Sequence, residues 1–147
     1  MREIKFRGKR IDNGEWVYGY FTRNDESGRC YITTQSKTGG AHPREVDPAT
    51  VGQCTGLKDM HGVKLYEGDI MGFHAYGYYY IGVVQYSNAG ATFGVKCKTA
   101  SEIETCPYLD VVINNHRAVK IGNIHDNPKL LEEIKMVLSF LFGEKRR

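Results

Sequence analysis

Three acidic residues in the middle of the chain, Asp59, Glu67 and Asp69, have the chemistry of a small catalytic or metal site. Glu67 and Asp69 are separated by one residue, so their carboxylates could act as an acid–base pair or bind a divalent cation. All three also lie in turn-like sequences with glycine, where such side chains usually accept hydrogen bonds from local backbone N–H groups. Because no further catalytic partner accompanies them, we favour the structural interpretation.

The other residues that support chemistry are scattered. The histidines show no H-E-x-x-H or similar metal-ligand spacing, and the cysteines include no C-x-x-C pair. No G-x-S-x-G sequence and no glycine-rich phosphate loop is present. We therefore expect no catalytic residue, no metal ligand and no cofactor, and a small hydrolase or metal enzyme is the least favoured class. The histidines are His42, His61, His74, His116 and His125, and the cysteines are Cys30, Cys54, Cys97 and Cys106.

Basic residues near the start offer a binding chemistry instead. Lys5, Arg7 and Lys9 alternate with other residues, which predicts that they share the outward face of a first strand. Cations beside aromatic rings can hold a phosphate backbone while nucleic-acid bases stack on the rings. Alternatively, basic residues protect an exposed edge strand from pairing with other chains, and tyrosines form ordinary core. The candidate contact residues are Lys5, Arg7, Lys9, Tyr78 and Tyr80. The stacking rings would come from one of two sets: Tyr76 with Tyr78 and Tyr80, or Trp16 with Tyr18 and Tyr20.

These residues must be positioned by a mainly β fold. The chain of 147 residues contains 17 Gly, 10 Tyr and 6 Phe against only 4 Pro, which is typical of short strands joined by tight turns. We expect an N-terminal β meander over residues 1–51, whose strands lie near Phe6, Trp16–Phe21 and Cys30–Thr34. Asn13-Gly14 predicts a type I′ hairpin turn. Residues 35–50, which contain two glycines in succession and two prolines, are predicted to be a loop.

The middle of the chain predicts a small barrel. The order of strands and turns over residues 52–126 resembles an SH3-like β-barrel. Residues 78–86 are apolar on both faces, which predicts a central strand covered on both sides. Further strands are expected at residues 109–113 and 119–124.

The end of the chain predicts a helix over residues 127–143. Asn127 is a suitable N-cap, Pro128 fits the first helical position, and Gly143 fits the end. Met136, Phe140 and Phe142 lie off the main apolar stripe, so they either widen the packed face or provide a surface for self-association. The three segments can fold as one unit.

A family resemblance spans nearly the whole chain. It is carried by Met1–Arg7, Thr55–Asp59 with Gly62, Tyr66–Ile70, Gly82–Tyr86, Ile121–Ile124, Asn127, Pro128, Leu130 and Leu131. In these segments the sequence resembles the YopX family of small proteins, found mainly in bacteriophages and prophages. The resemblance implies a mostly β protein with a partly barrel-like body and a C-terminal helix. It implies no catalytic residue.

The function expected from these observations is a non-enzymatic macromolecule-binding module, encoded by a phage or prophage as an accessory protein. Its partner would be a phage or host protein, and self-association is a further expectation. The alternative is a DNA- or RNA-binding protein that uses the basic strand face and exposed tyrosines, although the net charge of +3 is mild. The lack of a long apolar run or a signal peptide predicts no membrane contact and a location in the host cytoplasm.

Overall fold

The computed structural model describes residues 1–98 and 104–132. Contacts divide the chain into two compact units, Met1–Gly56 and Leu57–Arg147. Two antiparallel sheets account for most of the described residues, so the predicted mainly β class is confirmed.

The first sheet begins with the expected meander. Its strands are β1 (Phe6–Lys9), β2 (Trp16–Arg23), β3 (Cys30–Gln35), β4 (Ala41–Val46), β5 (Gly52–Lys58) and β6 (Lys64–Tyr66). Their hydrogen-bonded order is β4-β3-β2-β1-β5-β6, and the boundary between the two units falls within β5. Because β1 pairs with both β2 and β5, it is not the exposed edge strand that the sequence suggested.

The prediction that residues 35–50 form a loop is wrong. This segment contains β4 and a 3₁₀ turn at Pro48–Thr50. β4 pairs with β3 along its length, and Asp47 fixes the turn by accepting a hydrogen bond from the Ala49 N–H at 3.0 Å. Pro43 suggested a loop, but β4 is the first strand of the sheet, where a missing N–H is tolerated.

The β1–β2 turn is longer than the predicted type I′ turn. The Arg10 N–H donates to the Glu15 carbonyl at 2.9 Å, and the Gly14 N–H donates to the Arg10 carbonyl at 3.0 Å. Gly14 has a φ of +71°, whereas Asn13 is outside the positive-φ region. A type I′ turn needs positive φ at both central residues. Asn13 instead accepts a hydrogen bond from the Glu15 N–H through its side chain.

The first unit has its own apolar core on one face of the sheet. Its fully or nearly buried residues are Cys30, Ile32 and Val46, packed against the partly buried Phe6, Val17, Phe21 and Val51. These positions alternate along their strands with residues of the opposite face, as the two-residue period of a strand requires.

The second unit contains the second sheet. Its strands are β7 (Asp69–Ala75), β8 (Tyr78–Ser87), β9 (Thr92–Lys98), β10 (Glu104–Thr105) and β11 (Val119–Asn123), in the order β10-β9-β8-β7-β11. In the described part of the chain, no pairing joins β10 to β11. The sheet is therefore open, and the predicted SH3-like barrel is not confirmed.

The central position of β8 is confirmed, since it pairs with β7 and β9. Its predicted cover on both faces is wrong. Gly82 and Val84 are buried on one face, but Tyr78 and Tyr79 are 58% and 50% exposed. The tyrosine-rich beginning of the strand therefore lies at the surface.

Residues 109–113, predicted as a strand, belong to helix α1 (Leu109–His116). Leu109, Val112 and Ile113 are all buried and lie three or four residues apart, so they share one face of the helix. The short β-branched run gave too few residues to distinguish a strand from a helix. Arg117 ends α1 in a left-handed conformation, and its N–H donates to the Ile113 carbonyl at 3.1 Å.

A helix does begin near the predicted position. Residues 129–132 are helical, directly after Pro128. The Asn127 side chain accepts a hydrogen bond from the Asn123 N–H at 3.2 Å, which holds the helix start against the end of β11. The remainder of the predicted helix lies outside the described residues. Among the residues that are described, no helix has the length and apolar character that crossing a bilayer demands.

Candidate functional site

The Asp59 carboxylate accepts hydrogen bonds from backbone N–H groups, as its turn sequence predicts. Its Oδ1 accepts hydrogen bonds from the N–H groups of His61 at 2.8 Å and Val63 at 2.9 Å. Its Oδ2 accepts one from the Lys120 N–H at 3.0 Å, which links the turn to β11. Burial raises the pKa of Asp59, but the three backbone N–H groups outweigh that effect and hold it below the ordinary value.

Asp69 has a similar role nearby. Its side chain is 0% exposed, and its Oδ2 accepts a hydrogen bond from the Tyr66 N–H at 2.8 Å. The Lys120 ammonium lies 3.1 Å from its Oδ1. We call Asp59, Asp69 and Lys120 the carboxylate cluster. Glu67, the other member of the predicted acid pair, is half-buried.

The carboxylate cluster joins strands and has the character of a structural site. Lys120 interacts with Asp59 through its backbone and with Asp69 through its side chain. Within the described residues, no three His, Cys, Asp or Glu side chains lie close enough together to hold a metal ion. Cys30, Cys54 and Cys97 are buried free thiols, whereas Cys106 is exposed.

The three basic candidates do not share an open face. Arg7 is only 2% exposed, while Lys5 and Lys9 are half-buried. The Arg7 guanidinium carbon lies 4.6 Å from the centre of the Trp16 ring, and Lys9 Nζ lies 5.4 Å from it. Cations at these distances are attracted to the face of an indole ring. Arg7 therefore lies on the face opposite the core, as predicted, but its side chain is covered and not open to solvent.

The structure does bring Arg7 and Lys9 beside one set of candidate rings, Trp16, Tyr18 and Tyr20. Arg7 is opposite Tyr18, and Lys9 is opposite Trp16, across the β1–β2 pair. Directly opposed residues point to the same side of a sheet. Trp16, Tyr18 and Tyr20 alternate along β2 and therefore lie on that same side. We call these three rings, together with Arg7 and Lys9, the β2 surface.

The rings of the β2 surface differ in their exposure. Trp16 is half-buried next to the two cations, whereas Tyr18 is 42% and Tyr20 is 60% exposed. The hairpin register was the signal in the sequence that could have placed Lys9 beside Trp16. That register depended on the turn, which the sequence did not predict correctly.

The other predicted contact residues lie elsewhere. Tyr78 and Tyr80 are on β8 of the second unit. Tyr80 is half-buried and stacks on Phe73 with ring centroids 5.5 Å apart, while Tyr78 is exposed. The self-association candidates Met136, Phe140 and Phe142 lie outside the described residues, so self-association stays a prediction.

Comparison with known proteins gives a family and a related fold. The sequence matches the family described as YopX protein over residues 5–132. No curated protein is similar enough to count as a match. Among solved structures, the crystal structure of protein EF1440 from Enterococcus faecalis aligns with a TM-score of 0.50 and 22% sequence identity. The alignment covers 89% of this chain and 99% of that one, and at this identity the likeness concerns the fold alone.

Proposed function

The chain belongs to the YopX family, and from this premise we propose that it is a non-enzymatic macromolecule-binding protein whose contact site is the β2 surface. The supporting observation is the row of rings on one face of β2, in which Tyr18 and Tyr20 are 42% and 60% exposed. We also propose that it acts in the host cytoplasm as a phage or prophage accessory factor, and the resemblance to a family found mainly in phages and prophages supports that origin.

The rings of the β2 surface suit a contact with another macromolecule. Tyr and Trp provide a large contact area and lose little side-chain entropy, which is why they are enriched among residues that dominate binding energy. Trp16 is held by Arg7 and Lys9, and the three rings are carried by a strand paired on both sides. A surface that is ordered before binding loses less entropy when the partner arrives.

A protein partner is favoured over a nucleic acid by the placement of charge. Arg7 is 2% exposed and therefore cannot reach a phosphate group. Residues 1–56 contain nine Lys and Arg against seven Asp and Glu, so the first unit carries no strong positive field. Nucleic acid is the second candidate because Lys9 lies beside Trp16, a combination that can hold a phosphate and stack a base.

The proposal is tested by comparing tyrosines of nearly equal exposure. The double variant Tyr18→Ser/Tyr20→Ser removes the exposed rings of the β2 surface. Tyr78→Ser is the matched control, since Tyr78 is 58% exposed against 60% for Tyr20 and lies on β8. The immobilised protein and both variants would be incubated with lysate of a bacterium that carries such a prophage, and bound proteins would be quantified by mass spectrometry.

The expected result is a discrete partner that wild type and Tyr78→Ser retain and that the double variant loses by tenfold or more, in keeping with about 1–3 kcal/mol for each central aromatic. A partner retained equally by all three proteins would refute the β2 surface. Labelled single-stranded DNA and RNA are titrated in parallel at two salt concentrations. Tight binding that collapses with salt and depends on the two rings would select the nucleic-acid alternative.

A further inference from the structure

A cavity of about 400 Å³ lies in the second unit, beside α1 and the strands β7 to β10. Its volume is in the range of small-molecule sites, which is about 300–1,000 Å³. The lining residues on which the inference depends are Phe73, Tyr76, Tyr80, Thr105, Cys106 and His116. The cavity belongs to the second unit, whereas the β2 surface belongs to the first.

Aromatic rings form one side of the cavity. His116 lies between Phe73 and Tyr76, with ring centroids 6.1 Å and 5.7 Å away. Phe73 also stacks on Tyr80 at 5.5 Å. Such a wall offers flat π-faces to a ligand and only weak complementarity to a branched aliphatic group.

Tyr76 has an unusual position at the edge of this wall. It occupies the β7–β8 turn with a φ of +51°, followed by Gly77 with a φ of +79°, and it is 85% exposed. Positive φ at both central residues is the pattern of a type I′ turn, which strongly favours Asn, Asp or Gly at the first of them. A bulky residue at this position is unfavourable because of its positive φ. The ring is mostly exposed, so burial of apolar surface does not offset that cost. An outlier of this kind is a reason to look for a function.

The polar groups around the cavity are few and mostly uncharged. Among the lining residues that the structure describes, His116 is the one histidine, and no carboxylate, Lys or Arg is present. The Thr105 hydroxyl contacts Cys97 Sγ at 3.7 Å, and Cys106 is exposed. This lining does not suit a phosphate or a carboxylate ligand.

We propose that this cavity binds an uncharged planar heteroaromatic molecule, with Tyr76 and His116 stacking on its ring. The Thr105 hydroxyl donates its hydrogen to Cys97 Sγ, so its oxygen remains as an acceptor for a ligand N–H, and the Cys106 thiol can donate to a ring nitrogen or oxygen atom. Tyr76 is in this view a ligand contact, which explains why a tyrosine occupies a turn position that suits asparagine.

The test uses indole, quinoline and adenosine as probes on the full chain, with binding followed by saturation-transfer NMR. Tyr76→Asn removes the ring and keeps a residue that tolerates positive φ. Tyr79→Asn is the control, because Tyr79 is 50% exposed in the same hairpin and is not a lining residue. At least one probe should bind wild type and the control, and Tyr76→Asn should weaken its affinity about tenfold or more.

Two further readouts separate a ligand contact from a structural role. The thermal midpoint of Tyr76→Asn should equal or exceed that of wild type, since the substitution relieves the turn. A bound probe should also slow alkylation of Cys106, the one exposed cysteine of four; burial raises the pKa of Cys97 and keeps that thiol unreactive. The proposal is overturned if no probe binds, if Tyr76→Asn binds as well as wild type, or if binding leaves the Cys106 alkylation rate unchanged.

Discussion

The carboxylate cluster and the β2 surface place their side chains under opposite conditions. Asp59 and Asp69 are 6% and 0% exposed, and backbone N–H groups and the Lys120 ammonium surround their oxygens. On the β2 surface, Tyr18 and Tyr20 extend into solvent from a strand whose opposite face is core. Asp59 and Asp69, which most resemble a catalytic pair in the sequence, thus make their hydrogen bonds and ion pair within the fold. The β2 surface, in contrast, results from the ordinary alternation of side chains along a strand.

This contrast shows that residue type alone does not identify a site. A carboxylate in a Gly-containing turn can satisfy several backbone N–H groups at once, and it then has little capacity left for a substrate or metal. The rings of Tyr18 and Tyr20, by contrast, leave 42% and 60% of their surface open to solvent. The accessible surface that the fold leaves on a side chain therefore separates structural residues from candidate binding residues.

Within this comparison, the largest loss of stability is expected for a substitution of Lys120 in the carboxylate cluster. Lys120→Met removes the ammonium 3.1 Å from Asp69, a carboxylate with 0% exposure. Leaving a buried charge without its partner typically costs about 3–5 kcal/mol. We expect a loss of this size in the free energy of unfolding, measured by urea denaturation at pH 7.

The matched control is the double variant Lys120→Met/Asp69→Asn, which removes the uncompensated charge while keeping an acceptor for the Tyr66 N–H. It should be more stable than Lys120→Met alone. If the double variant is no more stable than Lys120→Met, the loss does not come from the Asp69 charge, and the carboxylate cluster is not a unit.

The sequence predicted elements well where one local pattern decides the structure. The Asp59 turn has its signature in the spacing of Asp and Gly, and the helix start after Pro128 has a capping signature. α1 was missed because Leu109–Ile113 is a short apolar run that only its tertiary position makes helical.

The candidate site was predictable only in part. A strand was predicted at Trp16–Phe21, and in the structure Trp16, Tyr18 and Tyr20 alternate along β2 on one face. The burial of Arg7 was not predictable, because it depends on β1 lying between β2 and β5. Pairing between strands 40 or more residues apart leaves no mark in a local pattern.

A smaller effect is expected within the β2 surface itself. Arg7→Met should destabilise the protein by about 2 kcal/mol, because a nearly buried guanidinium beside Trp16 loses its cation–π contact. Lys9→Met is the control, as Lys9 lies farther from the ring and is half-buried. Equal stability losses in chemical denaturation would mean that Arg7 is no more structural than Lys9.

The next effect concerns the pH dependence that Asp59 gives to stability. Its folded-state pKa is lowered, so its contribution is fully present above the unfolded pKa of about 3.9 and is lost as pH falls through the folded value. Asp59→Asn turns an amide N–H₂ toward at least one backbone donor. We expect a loss of about 1.5 kcal/mol at pH 7 that shrinks toward pH 3, measured by urea denaturation across that range. A loss independent of pH would contradict the charged role.

The smallest effect is expected at Asp12, whose pKa is also lowered, first of all by a side-chain hydrogen bond from Arg10. Arg10 Nε lies 2.9 Å from Asp12 Oδ1, yet the Asp12 side chain is 64% exposed. Water and salt screen such a pair, so Asp12→Asn should leave the urea midpoint at pH 7 unchanged within error. Any difference at low salt should vanish near 1 M NaCl, where the Debye length is about 3 Å, whereas the Asp59→Asn deficit should persist because its donors are buried backbone groups. If salt reduces both stability losses equally, the exposed Asp12 and the buried Asp59 contribute to stability in the same way. Exposure would then not be the property that distinguishes the two carboxylates.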